Sequence, residues 1–150
     1  MKLDSRLSGI LHVLLHMAER REPLTSEALA AHMNANPVQV RRVMGGLREA
    51  GFVRSERGHG GGWTLDCRLE DVTMRDVYAA IGSPALFATG NRSENPSCLV
   101  ERAVNSALGD TFRSAETLIL ERFDEVTLAD LSADFHRRAV EAGHVWPKER

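Results

Sequence analysis

Apolar residues recur at steps of three and four from Leu7 to Ala18, at Leu7, Ile10, Leu11, Leu14, Leu15 and Ala18. That spacing places them on one stripe of a helix, which Asp4 or Ser5 can cap. REPLTS breaks the pattern. Ser26 can cap a second, shorter helix, EALAAHM, with Leu29, Ala30 and Met33 facing inward. NAN reads as a turn. Asn36, Pro37 and Gln39 then hold the N-cap, first and third positions of a third helix, three start signals that agree. It runs to about Ala50, where Gly51 ends it. Its apolar stripe is Val40, Val43, Met44 and Leu47. Two short helices joined by a tight turn form a helix-turn-helix pattern.

After Gly51, FVRSER and WTLDC read as strands on either side of GHGGG. A phosphate-binding P-loop would continue with Lys and Ser or Thr and open a helix. Here Trp63, Thr64 and Leu65 favour a strand, so the glycines mark a hairpin tip, where they allow positive φ and close backbone approach. A hairpin directly after a helix-turn-helix is a wing. RLEDVTMRDVYAAIG follows, with Val72, Val77, Ala80 and Ile81 marking a further short helix. SPALFATGNRSENPS is the least regular stretch. From Cys98 to about Glu125, Val100, Ala103, Val104, Ala107, Leu108, Phe112, Ala115, Leu118, Ile119 and Phe123 recur at helical spacing, and Val126 follows. One helix of that length is ~42 Å long, and so long a stripe suggests packing against a partner chain. TLADLSADF closes with a short helix capped by Thr127, and a polar, mobile tail follows Gly143. The expected fold is α+β and mostly helical: a winged helix-turn-helix over 1–83, a loop over 84–97, dimerisation helices over 98–143 and a tail over 144–150.

Charge adds a direction. Residues 1–65 hold nine basic and six acidic side chains, and residues 66–150 hold ten and fifteen. An anionic partner, if there is one, is therefore expected to meet the front half. No run of 18 apolar residues exists to span a membrane, and the N-terminus lacks the apolar core and cleavage site of a signal peptide. Two cysteines, Cys67 and Cys98, make no disulfide framework, so a cytoplasmic location is expected. The glycosylation-like triplet Asn91 to Ser93 is then a chance match.

On the third helix, Val38, Gln39, Arg41, Arg42 and Gly45 lie opposite the apolar stripe. Gln pairs with adenine and Arg with guanine in the major groove of DNA. Gly45 and Gly46 each cost a free-standing helix ~1 kcal/mol relative to Ala, which implies close approach to a neighbouring helix or to DNA. Arg57, His59 and Gly60 stand at the wing tip, where an Arg can enter a narrow minor groove. Thr25 and Ser26 open the second helix, whose amides can meet a backbone phosphate. His12 and His16, four apart, can bind a metal as a pair, but no third ligand stands near them in sequence. The six His form no spaced metal motif, no catalytic constellation is marked out, and neither an enzyme nor a cofactor is expected.

The run LTSEALAAHMNANPVQVRRVMGGLREAGFVRSERGHGGGWTL resembles the winged-helix segment of the Rrf2 family of bacterial regulators, whose members include IscR, NsrR and CymR. The resemblance rests most on LREAGFVRS and on Arg57, Gly58, Gly60, Gly61 and Gly62 before an aromatic and a Leu. It extends through DVTMRDVYAAI, Cys98, the long helix and TLADL. It implies a homodimer whose long helices cross, each winged helix reading half of an operator. The dimerisation positions are then Val104, Leu108, Phe112, Ala115, Leu118 and Ile119. Cluster-binding members carry three closely spaced cysteines before the long helix. Only Cys98 stands here, after Asn95, Pro96 and Ser97, so the chain is most similar to the cluster-free branch typified by YwnA.

The expected function is a dimeric regulator that binds double-stranded DNA and represses at a palindromic promoter site. A small molecule or an oxidant would act as inducer. Two alternatives stay open. Ser97 can cap the long helix and place Cys98 in its first turn, where the helix dipole favours a thiolate. Cys98 is then either a redox switch or the relic of a cluster site. Cys67 is expected to be half-buried and inert. The other alternative is a protein–protein adaptor that uses the winged helix without DNA.

Overall fold

Helical periodicity and capping build three helices whose apolar stripes meet: α1 (Arg6–Ala18), α2 (Ser26–Met33) and α3 (Pro37–Glu49). The computed structural model describes residues 5–87 and 96–144. Ile10, Val13 and Leu14 of α1, Leu29 of α2, and Val40, Met44 and Leu47 of α3 are fully buried. Each such Leu or Ile contributes ~1.5–3 kcal/mol by leaving water. The buried edge of α1 differs from the expected stripe. Val13 and Met17 are buried, whereas Leu7, Leu11 and Leu15 are only partly so. The neighbouring helices lie on the side that Val13 and Met17 share with Ile10 and Leu14. Ser5 occupies the N-cap of α1 without a side-chain cap bond, and Asp4 lies outside the described residues.

Asn36 caps α3, its Oδ1 accepting from the Val38 amide at 2.8 Å, and Pro37 follows. Gly51, at φ +83°, ends the helix and turns the chain into β1 (Val53–Glu56). β1 pairs antiparallel with β2 (Gly62–Leu65), Val53 opposite Leu65 and Glu56 opposite Gly62. Leu24 adds a bridge on the outer side of β2, exchanging backbone bonds of 3.0 and 2.8 Å with Trp63. Two tip glycines serve this packing. A Cβ on Gly61 would lie 2.4 Å from the Glu56 carbonyl oxygen, and one on Gly62 would lie 2.6 Å from that of Leu24. Gly58 and Gly60, both at positive φ, face open space.

A 3-10 turn (Leu69–Asp71) leads to α4 (Met74–Ala80), then α5 (Leu99–Asp124) and α6 (Leu128–Glu141). The helix expected around Val72 starts two residues later, because Thr73 and Asp76 form a capping box. The same device, Thr127 with Asp130, opens α6, which runs further than TLADLSADF. The two boxes meet. Met74 donates to the Val126 carbonyl, Leu128 donates to that of Val72, and Thr73 bridges Thr127. Leu128 is thereby fully buried in the core shared with α1 and α3. The 26-residue α5 has no buried residue at all. The tail from 145 onward and the middle of the loop, 88–95, lie outside the described residues.

Candidate nucleic-acid interface

Burial of Val40, Met44 and Leu47 turns the opposite side of α3 to solvent. Val38 is 65% exposed, and Gln39, Arg41 and Arg42 are exposed with it. An exposed Val in the first turn of a capped helix has no packing role within the chain. Adjacent glycines divide here. A Cβ on Gly46 would lie 2.3 Å from the Ala80 carbonyl oxygen, so Gly46 lets the end of α4 approach α3. Gly45 has nothing within 4 Å and leaves the outer face low.

Arg41 Nη2 pairs with Glu27 Oε1 at 3.0 Å, both side chains largely exposed. Such a pair is worth ~0–1 kcal/mol, so Arg41 can be released toward a phosphate or a base edge. Arg54 is held between Glu56 and Asp66 along the hairpin. Among the described residues, no acidic side chain pairs with Arg42 or Arg57. Arg57, His59 and Gly60 are all exposed at the wing tip. Arg48 Nη1 reaches Ser55 Oγ at 3.5 Å and links the end of α3 to β1.

The start of α2 departs from expectation. Thr25, not Ser26, is the cap, its Oγ1 accepting from the Ala28 amide at 3.1 Å. Ser26 lies inside, its Oγ accepting from the Trp63 indole N–H at 3.1 Å. The Ser26 hydroxyl therefore holds the wing to α2 and is not available to a phosphate. Both residue types cap helices, and only the position of Trp63 separates them.

Cys98 also sits differently. It is itself the N-cap residue of α5, with no side-chain cap bond, so it precedes the first turn and Ser97 is not the cap. Its side chain is exposed. Cys67 is half-buried, and burial, with Asp66 and Asp71 nearby, pushes its thiol above the ordinary range. On α5, Val104, Leu108 and Leu118 are exposed, and Phe112, Ala115 and Ile119 are half-covered. Phe112 packs on Phe87, ring centres 5.6 Å apart. Val100, the first residue of the expected stripe, is exposed in the first turn, and Leu99 beside it, also exposed, adds an apolar residue that the stripe did not include. His12 and His16 gain the neighbour that the sequence did not place beside them, His32 of α2.

YwnA of Bacillus subtilis, named as an HTH-type transcriptional regulator, is 29% identical over 129 residues, 86% of this chain and 96% of its own. YffB of Lactococcus lactis, named likewise, is 29% identical over 135 residues, 88% of this chain and 82% of its own. The crystal structure of a transcriptional regulator from Lactobacillus plantarum superposes with a TM-score of 0.72 at 26% identity, covering 93% of this chain and 95% of that one. The profile of the Rrf2 family, described as an iron-dependent transcriptional regulator, matches residues 3–134. With a winged helix built on that pattern, the chain belongs to the Rrf2 family of transcriptional regulators.

Proposed function

We propose that the protein is a homodimeric, cytoplasmic DNA-binding regulator that represses transcription at a palindromic promoter site. In this reading, residues 1–83 read DNA, and α5 with α6, within 98–143, holds two copies together. The observation that carries it is the outer face of α3: a capped, exposed stripe of Val38, Gln39, Arg41 and Arg42 with a bare Gly45 beside it. Side chains on such a face reach base edges. Arg57 and His59 then follow the minor groove, and the Thr25 end of α2 meets the phosphate backbone. Among the described residues, Arg42 and Arg57 have no acidic partner, which favours an anionic ligand over a protein–protein adaptor.

The family is described as iron-dependent. The residues present do not fit a three-thiolate iron–sulfur cluster. The chain has two cysteines, one half-buried after the hairpin and one exposed at the head of α5. The reading is therefore cluster-free.

Selection of bound sequences from random DNA, followed by titration at several salt concentrations, tests the proposal. A palindrome with half-sites ~34 Å apart is expected, with affinity falling steeply as salt rises. Recovery of no shared sequence would refute it. The exposure of Cys98 favours an oxidant as inducer. Mild peroxide should then weaken operator binding by the wild type and leave Cys98→Ser unaffected. Equal behaviour of the two would make Cys98 a relic.

A further inference from the structure

Six histidines stand in the chain, and three of them meet at the junction of α1 and α2. His12 and His16 are one turn apart on the same side of α1. His32 stands in the last turn of α2, beside them. The ring centres of His12 and His16 are 4.6 Å apart, those of His16 and His32 4.9 Å, and those of His12 and His32 6.1 Å. One ring nitrogen from each lies within 4.8 Å of the other two.

We propose that His12, His16 and His32 form a three-imidazole site for a divalent transition-metal ion of the zinc, nickel and copper group. Metal–nitrogen bonds of ~2.0–2.1 Å in a tetrahedron set the nitrogens ~3.4 Å apart. Rotation of side chains closes the difference without moving a helix. His12 and His32 are exposed and His16 is half-buried, so the rings are free to turn. The neutral ring is the form that ligates a metal.

The donor set selects the ion. Three neutral imidazoles with no carboxylate suit zinc, nickel and copper and disfavour magnesium or calcium. The fourth position is open. A groove of about 290 Å³, lined by His12, Leu15, His16, Glu19 and Phe135, runs beside the rings and admits water or an exogenous ligand. Glu19 stays outside the donor set because its carboxylate meets His136 Nε2 at 3.1–3.2 Å. A bound ion would tie α1 to α2, the helix whose Glu27 pairs with Arg41 of α3. The site is independent of the DNA-binding reading and stands or falls separately.

Zinc titration of tag-free protein, in competition with a chromophoric chelator, tests it. One ion per chain is expected. His16→Ala or His32→Ala should each weaken binding by more than the ~10- to 100-fold that loss of an outer-shell partner costs. His144→Gln and the Cys67→Ser/Cys98→Ser double variant should leave binding unchanged. Far-ultraviolet circular dichroism checks that each variant is folded. Cobalt(II) should give ligand-field bands without a thiolate charge-transfer band. Binding that is not stoichiometric, that survives loss of His16 or His32, or that depends on the cysteines would overturn the proposal.

Discussion

Gly45 and Gly46 are neighbours on α3, yet alanine at the two positions should move stability in opposite directions. In a helix interior, Gly→Ala removes backbone freedom from the unfolded chain and gains ~1 kcal/mol. At Gly45 that gain is unopposed, because a Cβ there meets nothing within 4 Å. With ~1 kcal/mol worth ~2–4 °C in a chain of this size, Gly45→Ala should raise the melting temperature by that amount. At Gly46 the added Cβ would lie 2.3 Å from the Ala80 carbonyl oxygen. Backbone on α4 has no rotamer to change, so α3 and α4 must separate. Forced overpacking of this kind costs ~1–3 kcal/mol, which offsets the propensity gain and leaves Gly46→Ala net destabilised by up to ~2 kcal/mol. The measurement is urea and thermal unfolding of both variants at one protein concentration, since assembly shifts apparent stability. Operator binding supplies a second readout. Gly45→Ala should fold better and bind DNA less well, because the new methyl stands on the proposed reading face. If Gly46→Ala proved as stable as Gly45→Ala, the close α3–α4 approach would be refuted.

Ser26→Ala removes the hydroxyl that accepts from the Trp63 indole N–H, its one partner among the described residues. An unsatisfied buried donor costs ~1–3 kcal/mol, to be read from urea midpoints by circular dichroism. Leu118 is 68% exposed, so Leu118→Glu should leave the fold of one chain intact yet convert dimers to monomers in sedimentation and abolish operator binding; a wild type that sediments as a monomer would refute the assembly. Arg42→Ala should weaken specific DNA binding by ~1–3 kcal/mol if that side chain is bidentate to a base, with unfolding unchanged. The Asp130 carboxylate accepts from the amide and hydroxyl of Thr127, which holds it below its ordinary value of 3.8. Its folded form thus binds a proton less readily than the unfolded one. The contribution is present above pH 3.8 and is lost as pH falls through the lowered folded value. Asp130→Asn should remove that part of the acid dependence of stability, read from unfolding midpoints across the acid range.

The sequence alone determined features whose causes are local. Asn36 and Pro37 start α3 because one side chain caps an amide two residues on and the other pre-sets φ. Thr127 starts α6 for a similar reason. The hairpin follows from glycines flanked by β-formers, and the exposed side of α3 follows from its apolar period. Tertiary structure decided whatever depends on what lies opposite. Thr25 and Ser26 are both competent caps, and Trp63, distant in sequence, drew Ser26 inward. The stripe of α1 carried more apolar residues than one face can bury, and the positions of its neighbours selected Val13 and Met17. Gly62 serves Leu24, whose backbone came close from a segment no periodicity could place, while Gly61 serves the Glu56 carbonyl within the hairpin itself. The Thr73–Thr127 bridge and the meeting of His32 with His12 and His16 belong to the same class. Side-chain periodicity encodes which face of an element is buried, while the partner on that face is chosen only when the elements pack.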